Sequence, residues 1–355
     1  MHIKYEINKS IDYAKQHTHD YLICFIANVD GYTDIKDFRN TKDTILTEYF
    51  TEDEYNTILN ALRDIGYNVK VFFNELDFIE YANNIPYKNN IIVFNLARNG
   101  TGLCKKALIP SYCEFQGILH SGSDAYAVCL GRHKYHYNKL LSAFNLNVVD
   151  SWLFTSNGWL FNEEPPLGTM IIIKPTYESA SRGIRETSIF KYSGSHEDYY
   201  VLKQLYNEFQ QDIIVQKFIR GYEIQVPIIM IDRPYALNTV GIAIKSNKLI
   251  GESIITYDIA FSEEYSFYIY NENTDQIKRI LSNSEKIAQI LNIKNYGRCD
   301  YRIDENGNFY LTDISTHPYL IFHSAFAFIF KEMGYKYTDI FAHLIGNILI
   351  NTKDE

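Results

Sequence analysis

Asp300 and Asp313 are the residues of this chain best placed to do chemistry. They lie in the stretch Tyr296 to Pro318, where two runs of strand-type residues flank Asn306-Gly307. Asn-Gly favours a two-residue type I′ turn, so a β-hairpin is expected with Glu305 opposite Asn308. Counting outwards puts Asp300 opposite Asp313, and Arg298 opposite Ser315. Side chains alternate along a strand, so Arg298, Asp300, Leu311, Asp313 and Ser315 are expected on one face. Facing carboxylates repel each other, and a divalent cation between them reverses that sign. Mg²⁺ takes oxygen ligands, often one or two carboxylates plus substrate phosphates. The hairpin reads as a Mg²⁺–nucleotide site. The competing reading is a solvated face on which Arg298 neutralises the acids.

Three upstream features fit a nucleotide. Lys174 ends a strand and precedes a small-residue loop, Tyr177 to Gly183. Amides in such a loop can cradle phosphate oxygens while a lysine adds a point charge. Val215-Gln-Lys-Phe-Ile219 offers a backbone edge for an adenine ring, and Glu223, just after Gly221, can accept from ribose hydroxyls. Singly, Lys174 also reads as a strand-end charge and Glu223 as a surface acid; their order along the chain is the informative part.

The elements that must position these residues follow from apolar periodicity. Tyr21 to Val29, Asn68 to Phe73 and Asn90 to Asn95 read as strands, with a helical stripe over Glu54 to Gly66. Alternating strands and helices imply a parallel α/β unit. Residues 1–20 read as a frayed or short helical lead. One helix is expected over Gly131 to Phe144, where His133 and His136 lie three apart without a third zinc ligand to name. The rest is expected to be denser in strands, including ones near 235–245 and 248–257. An amphipathic helix is expected over Thr274 to Leu291, and closing helices over Phe322 to Phe330 and Thr338 to Ile350. The fold class is α/β (α+β). Expected units are 1–124, 125–214 and 215–355.

Composition narrows the function. A chain of 355 residues can bury a substantial core, and its 30 Tyr and 22 Phe can wall pockets. Net charge is −9 without a basic tract, which argues against nucleic acid as a partner. Five cysteines without a C-x-x-C pattern suggest a reducing compartment. No run of about twenty apolar residues occurs, so no membrane span and a soluble cytoplasmic protein are expected.

In their order these features resemble the ATP-grasp superfamily, and within it the D-alanine–D-alanine ligase family, over about residues 107–326. Three blocks carry the resemblance: Ile173-Lys-Pro-Thr-Tyr-Glu-Ser-Ala-Ser-Arg-Gly183, Val215-Gln-Lys-Phe-Ile-Arg-Gly-Tyr-Glu223, and Gly297-Arg-Cys-Asp300 through Asp313-Ile-Ser-Thr-His-Pro318 to His323-Ser324. A more distant match over Ile109 to Trp152 makes Lys134 or Lys139 the first ATP lysine. The resemblance implies an ATP-grasp fold and a carboxylate–amine ligase working through an acyl phosphate. Small-molecule acid and amine substrates would be the partners, and a homodimer is expected. ATP and two Mg²⁺ are implied, with Mn²⁺ as the alternative ion. Lys174 would hold phosphates and Ser181 would close over the last of them. Lys217 and Ile219 would face adenine, and Glu223 ribose. Asp300, Asp313 and Ser315 would hold the ions. Arg298 would stabilise the oxyanion, and Ser324, with His323 and Tyr319, would contact substrate.

The sequence also departs from that family. Asp313 stands where glutamate is usual, and Ser315 where asparagine is. Gln216 replaces the hinge acid, its amide oxygen still able to accept from an amino group. Ala180 replaces the loop's first serine. Tyr319 replaces a glycine and is expected to crowd the substrate pocket. The glycine-rich, glutamate-bearing N-terminal motif has no clear counterpart near Ala27 to Thr33. The lysine and tyrosine of the mobile loop are not cleanly matched over 257–268. An altered substrate is therefore expected, and the rival is a catalytically impaired homologue that binds nucleotide.

Overall fold

The computed structural model describes residues 2–34, 48–260, 262 and 264–351. Residues 261 and 263, in the loop expected to be mobile, lie outside the described residues.

The first unit runs α1 (His2–Gln16), β1 (Leu22–Ala27), α2 (Glu52–Asp64), β2 (Asn68–Phe72), α3 (Glu75–Asn84), β3 (Ile91–Leu96), α4 (Leu108–Gln116) and β4 (Leu119–His120). Its sheet is parallel, in the order β2-β1-β3-β4. Every residue of β3 is buried, as a parallel strand covered on both faces requires. The lead is a full helix, because Ile7, Ile11 and Ala14 form a buried stripe against the core.

The second unit holds α5 (Ala125–Arg132), α6 (Lys134–Ala143), β5 (Ser151–Thr155), β6 (Gly158–Trp159), β7 (Met170–Pro175), β8 (Ile189–Lys191), α7 (His196–Phe209) and β9 (Ile213–Lys217). Its antiparallel sheet is ordered β6-β5-β9-β7-β8. The single helix expected over Gly131 to Phe144 is two. His133 leaves helical geometry at φ −88°, ψ 89°, and its Nδ1 accepts from His136 N–H at 3.3 Å, so it caps α6. Breaking there lets α6 start beside β7, with Lys134 N–H donating to Thr176 O.

The third unit comprises β10 (Tyr222–Met230), β11 (Pro234–Ala236), β12 (Val240–Ile244), α8 (Tyr257–Ala260), β13 (Tyr265–Ile269), α9 (Thr274–Ile290), β14 (Tyr296–Ile303), β15 (Phe309–Ser315), α10 (Ala325–Glu332) and α11 (Tyr337–Asn351). The sheet order is β13-β12-β10-β14-β15, with β11 also on β10. No strand forms over 248–257; the chain there makes a single bridge, Gly251 to Gly221, before α8. α11 packs against α1, with Gly346 so close that an added Cβ would lie 1.8 Å from Ser10 O. The two ends of the described chain therefore share one core with the first sheet.

The β14–β15 hairpin corrects the expected turn. Asp304 N–H donates to Asn308 O, and Gly307 N–H to Asp304 O. The loop is thus three residues, 305–307, with Gly307 at φ +79°. That is the type I turn plus left-handed residue that longer hairpins use. The Asp304 carboxylate selects it by accepting from the N–H groups of Asn306 and Asn308. The resulting one-residue slip is undone by a bulge at Thr312, between the pairs Tyr301↔Leu311 and Asp300↔Asp313. Asp300 does face Asp313, and Arg298 faces Ser315. Leu311, however, turns with Tyr301 into the core instead of sharing the aspartates' face.

Candidate active site

A cavity of about 730 Å³ opens between the second and third units. Its wall collects Lys134, Lys174, Gln216, Glu223, Arg298, Asp300 and Asp313 from elements far apart in sequence. Ser181, Lys217, Ile219, Tyr319, His323 and Ser324 line it as well. Lys139 and Ser315 do not. Lys139 points back to its own unit, donating to Ser151 O at 2.8 Å. Of the two candidate lysines, the fold brings Lys134 to the cavity.

The aspartates are held differently. Arg298 grips Asp300 through two bonds of 2.7 Å, one to each carboxylate oxygen. On Asp313 three donors converge on a single oxygen, Oδ1: Lys134 Nζ at 3.2 Å, Tyr137 Oη at 2.8 Å and Ile314 N–H at 2.9 Å. The other oxygen, Oδ2, is left to the cavity, and the side chain is 35% exposed. Burial pushes the Asp300 carboxyl above its ordinary value despite Arg298, with the Asp313 and Glu223 charges adding to the shift. Burial also acts on Asp313, but Lys134 and Lys174 outweigh it and hold that carboxyl below its ordinary range. Tyr137 went unrecognised in the sequence. Its only signal was a tyrosine three residues after Lys134, on the same helix face.

Two carboxylates facing each other inside a cavity suit a hard cation with substrate oxygens completing its shell. Among the described residues no group of three or more His, Cys, Asp or Glu could hold a metal by itself. A two-carboxylate site fits Mg²⁺ on those terms. His133 and His136 stack on each other at 3.4 Å instead of converging on an ion.

Lys174 sits at the end of β7, buried between Asp313, Lys134 and Glu223. Burial lowers its ammonium to a pKa of about 8, against the pull of the Asp313 and Glu223 charges. Glu223 Oε2 accepts from Arg302 Nη2 at 2.8 Å. Arg302 also donates to Ile219 O, Gly251 O and Ser253 O, tying the hinge edge to the sheet. Arg302 was missed, although it lies two residues from Asp300 and so on the same strand face. The Gln216 side chain is 1% exposed, with neither amide atom hydrogen-bonded. Lys217 N–H is engaged by Asp150 O.

In the small-residue loop Ala180 and Ser181 adopt φ +52° and +57°, sparsely populated for residues with a Cβ. Lys106 of the first unit reaches this loop, donating to Ser179 Oγ at 3.2 Å while ion-paired to Glu48. Burial lowers the Lys106 ammonium to about 7. Tyr319 donates to Glu48 O at 2.8 Å, and its ring lies 4.4 Å from the Arg98 guanidinium. Tyr319 thus lines the cavity with its hydroxyl fastened to the first unit. Ser324 caps α10, accepting from Ala327 N–H. His323 packs edge-on to Tyr265 at 4.6 Å.

Solved structures share this architecture. The D-alanine–D-alanine ligase from Bacillus anthracis, complexed with ATP, matches 94% of this chain and 99% of its own, with a TM-score of 0.67 at 17% identity. The VanG D-Ala:D-Ser ligase from Enterococcus faecalis gives 0.65 at 18% identity, over 93% of this chain and 99% of its own. The fold is that of the ATP-grasp ligases. Among sequences, the D-alanine–D-alanine ligase of Rickettsia typhi is 23% identical over 295 residues, covering 81% of this chain and 84% of its own. That of Rickettsia bellii is 24% identical over 265 residues, covering 73% and 74%. The model of the family described as D-ala D-ala ligase C-terminus matches residues 140–346, and the chain belongs to that family of ligases. Among the described residues no helix is long and apolar enough to cross a membrane.

Proposed function

We propose that this protein joins a carboxylate to an amine at the expense of ATP, through an acyl phosphate, with a substrate pocket altered from that of the D-alanine–D-alanine ligases. One observation carries the reading: a single cavity gathers two buried lysines, two facing aspartates and an acid–arginine pair. A nucleoside triphosphate needs those chemistries in that order. Gln216 meets the adenine amino group with its free amide oxygen. Glu223, oriented by Arg302, accepts from ribose hydroxyls. Lys134 and Lys174 oppose phosphate charge, and the loop carrying Ser181 covers the terminal phosphate.

Transfer of the terminal phosphoryl to the acid's carboxylate oxygen releases ADP. The amine then attacks the acyl carbon, loses a proton, and phosphate departs. Arg298, on the cavity wall beside Asp300, stabilises the oxyanion that forms as the amine adds, a charge-matching role that needs little reorganisation. Ser324, at the N-terminus of α10, receives the second substrate's carboxylate. Mg²⁺, when bound at Asp300 and Asp313, would neutralise the phosphates. Ser315 and Lys139, expected in ion and ATP binding, lie off the cavity wall and are left out. The altered pocket rests on Ala180, which lacks the serine hydroxyl, and on Tyr319, whose ring takes space on the cavity wall.

Phosphate release in the presence of ATP, Mg²⁺ and pooled amino acids of both configurations tests the reading. ADP and phosphate formed only with particular acceptors support it. Nucleotide binding without turnover across broad pools favours the impaired homologue, and no nucleotide binding overturns both.

A pH effect follows from Lys174. Its ammonium loses its proton near pH 8 in the free protein, and phosphate binding favours the charged form. Nucleotide affinity is expected to fall by up to about tenfold per pH unit above 8, and Lys174→Met is expected to flatten that slope. Calorimetry from pH 7 to 9.5 checks it; parallel profiles for the two proteins would remove Lys174 from the phosphates. Stability runs the other way. The folded-state value lies below the unfolded one, so the penalty for burying the charge is full below pH 8. It is relieved as pH rises towards the ordinary lysine range.

A further inference from the structure

Gln225 is a further polar residue on the wall of this cavity. It stands on β10 directly opposite Asp300, and Asp300 on β14 directly opposite Asp313. Three oxygen-bearing side chains therefore form one row across three neighbouring strands, all on the cavity wall. Gln225 is 8% exposed, and its amide makes no hydrogen bond among the described residues. With no partner among them, that amide can turn its oxygen to a ligand in the cavity.

The neighbours say which kind of ligand. Asp313 Oδ1 is saturated by Lys134, Tyr137 and Ile314 N–H, while Oδ2 is not. Each Asp300 oxygen takes one Arg298 N–H, and an ionised carboxylate oxygen has a second lone pair to give. Directly opposed residues have Cβ atoms about 5 Å apart. That spacing lets their side-chain oxygens meet on one cation at about 2.1 Å each. Ser315, two residues further along β15, is not on the wall. We propose that Gln225, through its amide oxygen, is a ligand of the divalent cation held at Asp300, in the role expected of Ser315. A neutral oxygen donor suits Mg²⁺ or Mn²⁺. It also adds no charge to a site whose carboxylates already face Arg298 and Lys134.

The inference rests on the nucleotide–cation reading, and its test separates the two. The full-length protein is titrated with Mn²⁺ in the presence of a non-hydrolysable ATP analogue, following free Mn²⁺ by electron paramagnetic resonance. Nucleotide binding is measured in parallel, and thermal melting confirms folding of each variant. Gln225→Ala is expected to weaken Mn²⁺ binding about tenfold, Ser315→Ala less than twofold, and Gln225→Glu to retain the ion. Should the alanine variant misfold, the glutamate variant decides: weaker Mn²⁺ binding there counts against the proposal. Mn²⁺ binding within twofold of wild type in Gln225→Ala overturns the inference while leaving the nucleotide reading intact. A wild-type protein that binds neither analogue nor Mn²⁺ overturns both.

Discussion

Asp300→Asn lowers Mg²⁺-dependent phosphate release at least about a hundredfold, the scale of losing one group that stabilises developing charge, with the fold retained. Asp300 is the middle of the row, facing Gln225 on one side and Asp313 on the other, so no neighbour replaces its charge. The asparagine keeps the shape and one oxygen for Arg298. The stability loss should therefore stay below the roughly 3–5 kcal/mol of breaking a buried pair outright, and the 13% exposure of Asp300 softens it further. Steady-state kinetics at saturating ATP, alongside urea unfolding, separates the two effects. Turnover equal to wild type would remove Asp300 from the chemistry; lost turnover with lost folding would make it a structural residue.

The second large effect is on stability. Gly221→Ala destabilises the protein by at least about 3 kcal/mol, because overpacking against backbone adds to an unfavourable dihedral. Gly221 sits at φ +144°, and a Cβ there would lie 1.8 Å from the carbonyl oxygen of Ile303. That oxygen is backbone in β14 and cannot swing aside. The close approach joins the hinge, Lys217 to Ile219, to β10 and so sets where Glu223 points. The midpoint of urea unfolding is expected to fall with the slope unchanged. A shift worth less than about 1 kcal/mol, the ordinary range for a point change, would mean that the strands separate to admit the methyl.

Much of this site was readable from local pattern. Period-2 alternation puts Arg298, Asp300 and Arg302 on one face whatever surrounds them, and Lys174 follows a run of three isoleucines, β-branched residues that favour a buried strand. The facing of Asp300 and Asp313 was expected for an incomplete reason: the turn is one residue longer than Asn-Gly suggests, and the Thr312 bulge compensates. Turn type depended on the Asp304 carboxylate capturing two amides, which a dipeptide rule does not weigh. Lys134 could not be separated from Lys139, because helix phase alone does not say which face meets a cavity. The break at His133 and the docking of α6 on Thr176 decide that.

What the chain order determined by itself is the list of chemical groups: alternation and side-chain type are local properties, so Lys174, Glu223 and the aspartate pair appear in any correct reading. Only the tertiary structure decided which groups meet. Tyr137 on Asp313, Arg302 on Glu223, Lys106 on the serine loop and Gln225 beside Asp300 are pairings across long sequence separations. They arise from how three sheets pack and in what register neighbouring strands run. Register across non-adjacent strands is a collective outcome of core packing, which no short stretch of sequence encodes.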